Sequence, residues 1–366
     1  MNQNEKQLFR ALCNFKSEDF DAALLKAATP DVLGHLFFNR MQAIAYGTLV
    51  NANLLGKVNR EFRNSLKDAY EQNLKKNCDF SECLTYLTNV LAACNCPYAL
   101  LKGAFLCNYY PKGFRTSNDI DLLVCPENVT EIDHVLTQAG FKQGNIRNGN
   151  FVPASRQEII ESKMLRGETV PYIKEINRPG MKYLEVDINF SLDYKNGNTD
   201  ILKNLLSRVW VCRVGDVEIQ TLNPLDFFIH LCSHLYKEAT TLPWIEMMRD
   251  MTMYKYCDIY TLLTAMTEKD VRAVFSRAEE LGMSMICAFT ILQTAAFFDI
   301  PNKCAQQIAK TILLPNPDFV HQVISPKDKK LLVYTEKNVF ERFFAKNRKA
   351  LLKEVKNNEQ IENEAK

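Results

Sequence analysis

The chain has 366 residues and a formal net charge of +2 at pH 7, and it is 47% hydrophobic and 24% charged. These values are ordinary for a globular protein and argue against a strongly basic nucleic-acid platform, although total charge does not reveal a local basic patch. The N-terminus lacks the basic and apolar regions of a secretory signal, and no run approaches the roughly 18 apolar residues of a membrane span.

The cysteines indicate a reducing compartment. The chain has 12 cysteines, scattered singly except for Cys94 and Cys96, with neither a CxxC pair nor the spacing of zinc ligands. Most lie in apolar runs, where cysteine behaves as a small buried hydrophobe. We therefore expect free thiols, a cytoplasmic location and no membrane partner.

The first 95 residues have the apolar periodicity of helices almost throughout. Residues 58–94 contain neither Pro nor Gly, which predicts one long helix or two abutting helices, and Pro97 ends this segment. We assign residues 1–95 to an N-terminal helical region.

From residue 98 the pattern changes to short strands and turns. Residues 98–102 predict a strand, residues 104–110 a short helix and residues 119–125 a second strand. A helix then begins near Pro126 and ends before Gly140, as the usual positions of Pro and Gly at helix ends indicate.

The next part of the chain reads as loops and hairpins. Residues 144–150 (GNIRNGN) are rich in turn residues, and we expect a mobile loop there. Residues 172–190 and 209–222 each predict a β-hairpin. Between the hairpins, residues 193–198 predict a loop and a short helix begins near Asp200.

The remaining residues complete the predicted fold. Residues 224–352 are expected to be helical to about Ala350, interrupted near residues 299–301 and 315–317, and residues 353–366 are a polar tail that we expect to fray. Residues 96–223 then form a core with a mixed β-sheet. The predicted fold class is α+β, a mixed-sheet core flanked by N-terminal and C-terminal helical regions.

Acidic residues recur on one face of two predicted strands. Asp119 and Asp121 lie one residue apart, so a strand that alternates its faces points both carboxylates the same way. Such neighbouring like charges repel unless they are solvated or share a divalent cation. Asp187 supplies a third carboxylate on a later strand, and Glu185 shares its face.

This arrangement suits phosphoryl or nucleotidyl transfer. Acidic side chains on a rigid sheet hold two metal ions about 3.5–4 Å apart in such sites, and Mg²⁺ prefers oxygen ligands. Gly103 would let the backbone approach a phosphate, and the start of the following helix offers N–H groups. Lys102 and Arg115 are placed to compensate phosphate charge.

Residues 100–124, which read LLKGAFLCNYYPKGFRTSNDIDLLV, also resemble a known family. A Gly followed by a small residue, then Asp-x-Asp on one strand and a later Asp on a neighbouring strand, is similar to the DNA polymerase beta nucleotidyltransferase superfamily. More narrowly, this stretch, the run from Glu185 to Ile188 and the helix with His230 and His234 resemble the bacterial uncharacterised nucleotidyltransferase family. The resemblance covers roughly residues 85–255.

The resemblance implies an Mg²⁺-dependent enzyme that transfers a nucleoside monophosphate from a nucleoside triphosphate (NTP) to a hydroxyl and releases pyrophosphate. It implies that Asp119 and Asp121 bind both Mg²⁺ ions and that Asp187 completes one metal site and helps to deprotonate the acceptor hydroxyl. Gly103 and Ala104 would cradle the triphosphate. The acceptor would be a small molecule, a protein side chain or an RNA such as tRNA.

Alternatives remain open at three points. Glu185 is a second candidate for the third carboxylate. Ala104, where the superfamily usually has Ser, motivates a catalytically weak or inactive module of the same fold that binds nucleotide or serves assembly. A metal hydrolase centred on His230 and His234 is a third idea, but Leu231 replaces the Glu of an HExxH motif, so structural or phosphate-contacting histidines are favoured.

Overall fold

A computed structural model describes residues 1–192 and 199–355 of the chain. The helices in these residues are α1 (Gln3–Cys13), α2 (Pro30–Phe38), α3 (Gln42–Asn51), α4 (Arg60–Leu91), α5 (Gly103–Leu106), α6 (Val129–Gln138), α7 (Arg156–Arg166), α8 (Thr199–Leu206), α9 (Pro224–Thr240), α10 (Leu242–Glu246), α11 (Met253–Ala265), α12 (Glu268–Glu280), α13 (Ser284–Ala295), α14 (Lys303–Leu313) and α15 (Val339–Phe343). The strands are β1 (Tyr98–Leu100), β2 (Asp119–Val124), β3 (Lys142–Arg147), β4 (Asn150–Pro153), β5 (Tyr172–Glu175), β6 (Tyr183–Asn189), β7 (Trp210–Val214), β8 (Val217–Thr221), β9 (Gln322–Ser325), β10 (Lys330–Tyr334) and β11 (Leu352–Glu354). Short 3-10 turns connect several of them. The predicted α+β class is confirmed.

The described residues divide into two compact units. One is Arg63–His230, and the other combines Met1–Phe62 with the chain from Leu231 onward. The boundaries fall inside α4 and inside α9, whereas the predicted regions change at residues 95/96, 223/224 and 352/353; that division stays a prediction. None of the helices in the described part of the chain is both long and apolar enough to cross a membrane.

The unit Arg63–His230 is built on an eight-stranded mixed sheet. Its strand order is β4-β3-β5-β6-β2-β1-β8-β7. β2 is parallel to β6 and β1 is parallel to β8, while the other neighbours are antiparallel. The two hairpins predicted from the sequence are the antiparallel pairs β5–β6 and β7–β8. This topology places β2 and β6, the two strands with paired carboxylates, side by side near the middle of the sheet.

Strand β2 is buried on both of its faces. Ile120, Leu122 and Val124 on one face are fully buried, as expected, and so is Leu123 on the face that carries the carboxylates. Each such aliphatic side chain contributes roughly 1.5–3 kcal/mol when it is removed from water. This burial fixes the register of β2, because a shift by one residue would move Asp119 and Asp121 into the apolar layer.

Residues 58–94 contain one long helix rather than two. α4 has 32 residues and runs without interruption from Arg60 to Leu91. The absence of Pro and Gly allows this length, and the helix ends before Pro97, which cannot continue it. Within the unit Arg63–His230, α4 packs beside the loops that lead into β2 and β6, as described below.

Residues 144–150 are not the mobile loop that the sequence predicted. They belong to the hairpin β3–β4, in which Ile146 pairs with Phe151 and Arg147 with Asn150. Its two-residue turn is Asn148-Gly149, and both residues have positive φ angles of 51° and 75°. Asn-Gly is the preferred sequence of such a turn, so a hairpin signal was present. The predicted loop at residues 193–198 lies outside the described residues.

The C-terminal residues are not helical to residue 350, because they contain a second sheet. β9, β10 and β11 pair antiparallel in the order β11-β10-β9. Part of the predicted polar tail therefore forms β11, and residues 356–366 lie outside the described residues. These strands are three to five residues long, too short for a clear alternation of apolar and polar positions. A small apolar cluster lies against them: Leu242, Ile245, Val323, Leu332, Tyr334, Leu351 and Leu352.

Candidate active site

Four carboxylates meet on one face of the central sheet. β2 and β6 run parallel, with Asp119 beside Glu185 and Asp121 beside Asp187. Since alternate residues of a strand share a face, all four side chains project on the same side. The structure thus brings together the three carboxylates singled out in the sequence and Glu185, the alternative candidate for the third of them. Asp121 is only 5% exposed, so this negative charge is largely withdrawn from water.

The concentration of carboxylates changes their proton affinity. Burial is the largest cause that raises the pKa of Asp187 well above its ordinary value, followed by the charges of Asp121, Asp119 and Glu185, while Lys102 acts in the opposite direction. Burial, Asp119 and Asp121 also raise the pKa of Glu185. Both shifts have the direction expected when like charges share a poorly hydrated site. The cluster therefore favours the binding of a cation or a proton.

Lys102 supplies a cation at this cluster. Its ammonium Nζ lies 2.7 Å from Oδ1 of Asp121, and the two side chains are 22% and 7% exposed. Lys102 directly follows the segment around β1, where the Leu101 N–H donates to the Asp121 carbonyl at 2.9 Å. The Lys102 backbone has φ 45° and ψ −114°, a conformation that residues with a Cβ rarely adopt. The end of β1 is thus held in a fixed position beside Asp121.

Asp119 is oriented by a neighbour on the loop that precedes it. The hydroxyl Oγ of Ser117 donates to Oδ1 of Asp119 at 2.7 Å. Ser117 in turn packs against Gly103, where an added Cβ would lie 2.6 Å from the Ser117 Cβ and 2.7 Å from its Oγ. Packing against Ser117 therefore requires a glycine at position 103, independently of the predicted approach of a phosphate. It leaves room for the residue that orients Asp119.

Replacing Gly103 by Ala is expected to destabilise the protein by about 1–3 kcal/mol, because Ser117 must move away from the new methyl group. The same movement breaks the hydrogen bond to Asp119. Urea denaturation followed by fluorescence will measure the change, and the double variant G103A/S117G should recover most of the loss because it removes the clashing Cβ. Gly56→Ala is the matched control: nothing lies within 4 Å of the point that an added Cβ would occupy, so we expect a change within about 0.5 kcal/mol.

Helix α4 holds the loop that carries Arg115 and Ser117. The side-chain amide of Asn73 donates to the Gly113 carbonyl at 3.0 Å, and that of Asn77 donates to the Arg115 carbonyl at 2.9 Å. Asn77 Oδ1 also accepts from the Gly113 N–H at 2.6 Å. Gly113 has a φ of 85° and lies against Tyr70, whose ring would be 2.6 Å from an added Cβ. The loop before Asp119 is thus fixed through its backbone.

The same helix also holds the turn before β6. Asp79 Oδ2 accepts a hydrogen bond from the Gly180 N–H at 2.5 Å, and the backbone of Lys76 is so close that a Cβ on Gly180 would meet it at 2.9 Å. Lys76 Nζ donates to the side chain of Asn118, next to Asp119. One stretch of α4 therefore contacts the segments that lead into both carboxylate strands.

The sequence predictions did not include Asn73, Asn77 or Ser117. A faint signal was present for the two asparagines, because they lie four residues apart in the middle of a helix where Asn has poor propensity. No such signal existed for Ser117, whose role depends on the long-range approach of Gly103.

Ala104 and Arg115, the two remaining residues predicted to bind phosphate, already form hydrogen bonds within the protein. Ala104 is fully buried, and its N–H already donates to the Leu101 carbonyl at 3.2 Å. Arg115 is half-buried, and its Nη1 donates to the neighbouring Thr116 carbonyl at 2.9 Å. A phosphate contact by either group would require it to exchange or share these hydrogen bonds, and both roles stay predictions.

The histidines of α9 lie in a buried part of that helix. His230 is 3% exposed, and Nε2 of His234 lies 3.3 Å from Oε1 of Glu238, which is also paired with Lys255. Among residues 1–192 and 199–355, no group of three or more His, Cys, Asp or Glu side chains is arranged as a ready metal site. The four side chains of Asp119, Asp121, Glu185 and Asp187, here called the carboxylate face, would therefore have to adjust their positions to hold an ion.

Comparisons with known proteins relate the chain to nucleotidyltransferases. A family model described as "Uncharacterised nucleotidyltransferase" matches residues 29–299, more than half of the chain. No curated protein matches the sequence. Among solved structures, an antigenic nucleotidyltransferase-like protein from Paracoccidioides brasiliensis aligns with a TM-score of 0.33 and 12% identity, over 67% of this chain and 89% of that one.

Proposed function

Because the chain belongs to the uncharacterised nucleotidyltransferase family, we propose that it transfers a nucleoside monophosphate from an NTP to a hydroxyl acceptor, with Mg²⁺ as cofactor and pyrophosphate as the second product. The observation that carries this proposal is the register of β2 and β6, which places Asp121 beside Asp187 and Asp119 beside Glu185. We also propose that the chain belongs to the DNA polymerase beta superfamily, on the same pairing of an Asp-x-Asp strand with a third Asp-bearing strand.

The donor set suits Mg²⁺. The four acidic side chains that β2 and β6 contribute to the proposed site are carboxylates, whose hard oxygens are the ligands that Mg²⁺ prefers, and the triphosphate would complete the coordination. Asp119, Asp121 and Asp187 would hold two ions, with Glu185 as the alternative third ligand. When bound, the ions would neutralise the phosphates and polarise the reacting oxygens.

The chain's own residues would position the substrates and take the proton. Lys102 and Arg115 would compensate the charge of the triphosphate, and Ser117 would keep Asp119 oriented. As the acceptor oxygen forms its bond to the α-phosphorus and pyrophosphate leaves, the hydroxyl proton would pass to Asp187. The place of Asp187 beside Asp121 across the two strands supports this role.

The test is to incubate the protein with each of four labelled NTPs, Mg²⁺ and a cell extract that supplies acceptors. We expect a labelled product with the wild type and none with Asp119→Ala or Asp121→Ala. Digestion with ribonuclease, digestion with protease and passage through a small-pore filter then assign the label to RNA, protein or a small molecule.

The alternative, a nucleotide-binding module without catalysis, is favoured by Ala104, which offers no hydroxyl and whose amide is already bonded. Saturable binding of NTP without transfer to any fraction of the extract would overturn the enzymatic proposal and support this one. Zinc or iron found by elemental analysis in the purified protein would instead revive the hydrolase hypothesis at His230 and His234.

A further inference from the structure

We propose that the Lys102 ammonium is a built-in counter-cation of the carboxylate face, which a divalent ion must displace from Asp121 before it can bind. The displaced ammonium is then available to the phosphates of the NTP. This inference rests on the proposed function, since it assumes that the same carboxylates bind the metal.

The position of the ammonium is the first support. Nζ of Lys102 lies 2.7 Å from Oδ1 of Asp121, a charge-assisted hydrogen bond. Asp121 is next to Asp187 across the strands and follows Asp119 by two residues, so a cation at Asp121 is close to the centre of the negative charge. A metal ion that uses Oδ1 of Asp121 must therefore compete with the ammonium for that oxygen.

The backbone of Lys102 is the second support. The Leu101 N–H donates to the Asp121 carbonyl at 2.9 Å, and the Lys102 carbonyl accepts from the Phe105 and Leu106 N–H groups at 3.1 and 2.9 Å. These bonds hold Lys102 at a φ of 45°, outside the usual range of a residue with a side chain. The surrounding structure thus fixes the backbone position from which the Lys102 side chain extends.

The freedom of the side chain is the third support. The Lys102 side chain remains 22% exposed, whereas that of Asp121 is 7% exposed. A lysine has four rotatable bonds, and its ammonium forms no fixed fork with a carboxylate, so it can exchange partners without moving the backbone. The exchange also keeps the charge balanced, because the ammonium leaves Asp121 only when a divalent cation arrives.

A metal-binding experiment with Lys102→Met tests the competition. Mn²⁺ is titrated into nucleotide-free protein, and the free ion is followed by electron paramagnetic resonance. We expect the Kd for Mn²⁺ to fall about tenfold in K102M, equivalent to about 1.4 kcal/mol, while nucleotidyl transfer decreases because the phosphates lose a cation. Opposite changes in metal affinity and activity would not follow from a merely structural lysine.

The matched control is Lys203→Met. Lys203 forms a pair with Glu127 at 3.1 Å in which both side chains are about half exposed, and neither residue belongs to the carboxylate face. Its removal should leave the Kd for Mn²⁺ unchanged. An equal Kd in K102M and wild type would overturn the counter-cation role and leave the proposed function standing. Absence of Mn²⁺ binding in both would also overturn the counter-cation role, which requires a metal site in the nucleotide-free protein, whereas the transfer assay tests the proposed function separately.

A second measurement uses the wild-type chain and does not depend on the folding of a variant. Lysines are acetylated briefly with an amine-reactive ester, with and without Mg²⁺, and the modified peptides are quantified by mass spectrometry. Displacement from Asp121 should increase the labelling of Lys102 severalfold when Mg²⁺ is present, with Lys203 as the internal reference. Labelling of Lys102 that does not respond to Mg²⁺, in a protein that binds Mn²⁺, would overturn the inference.

Discussion

Replacing Asp121 by Asn is expected to lower the rate of nucleotidyl transfer by about 10²- to 10³-fold, the loss typical of one electrostatic stabilising group at a reacting centre. Asparagine keeps the size of the side chain and one oxygen that can accept from Lys102, but it removes the charge that would bind the metal. The measurement is the initial rate of label incorporation at saturating NTP and Mg²⁺, with the acceptor fraction found in the transfer assay.

Two further variants show whether this loss is specific to the proposed ligands. Asp187→Asn should reduce the rate about as strongly as Asp121→Asn, whereas Glu185→Gln should retain more activity if Asp187 is the third ligand. The reverse order would assign that role to Glu185. Circular dichroism of each variant checks that it is folded. If D121N kept more than a tenth of the wild-type rate, the carboxylate face would not be the catalytic metal site.

Much of the central sheet could be predicted because its signals are local. Strand β2 is apolar apart from its two aspartates and is followed by Pro126, and the two hairpins have turn residues between strands of alternating character, so short windows of sequence identify them. The hairpin β3–β4 was misjudged because β3 is largely polar, so the many turn residues outweighed the Asn148-Gly149 signal. The C-terminal sheet was missed because its strands are short, and because β11 pairs with β10 across an intervening helix, which sequence periodicity does not show.

The residues of the candidate site could likewise be predicted only where their signal is local. Asp119 and Asp121 share a face because of the strand period alone, and the aliphatic residues around Asp187 indicated its strand and its face. What the sequence could not reveal was the register that sets Asp121 beside Asp187, the contact of Lys102 with Asp121, or the packing of Gly103 against Ser117. These depend on residues far apart in the chain that meet only when the sheet is complete.

The largest effect on stability is expected from the buried ion pair of Asp250 and Arg348. Nε and Nη2 of Arg348 donate to the Asp250 carboxylate at 2.6–2.9 Å, and the side chains are 3% and 0% exposed for Arg348 and Asp250. Asp250→Ala leaves the guanidinium buried without its counter-charge, so we expect a loss of about 3–5 kcal/mol in the free energy of unfolding.

Urea denaturation in a Trp210→Phe background measures this loss, because it leaves Trp244 of the unit that contains Asp250 as the fluorescent reporter. The double variant D250L/R348M removes both charges and should lose less than D250A, since it leaves no unpaired buried charge, although the Phe343 carbonyl then loses the bond from Arg348 Nη1 at 3.2 Å. Lys330→Ala, which breaks the half-exposed pair with Glu354, should cost less than about 1 kcal/mol. Equal losses in D250A and K330A would show that burial does not strengthen the inner pair.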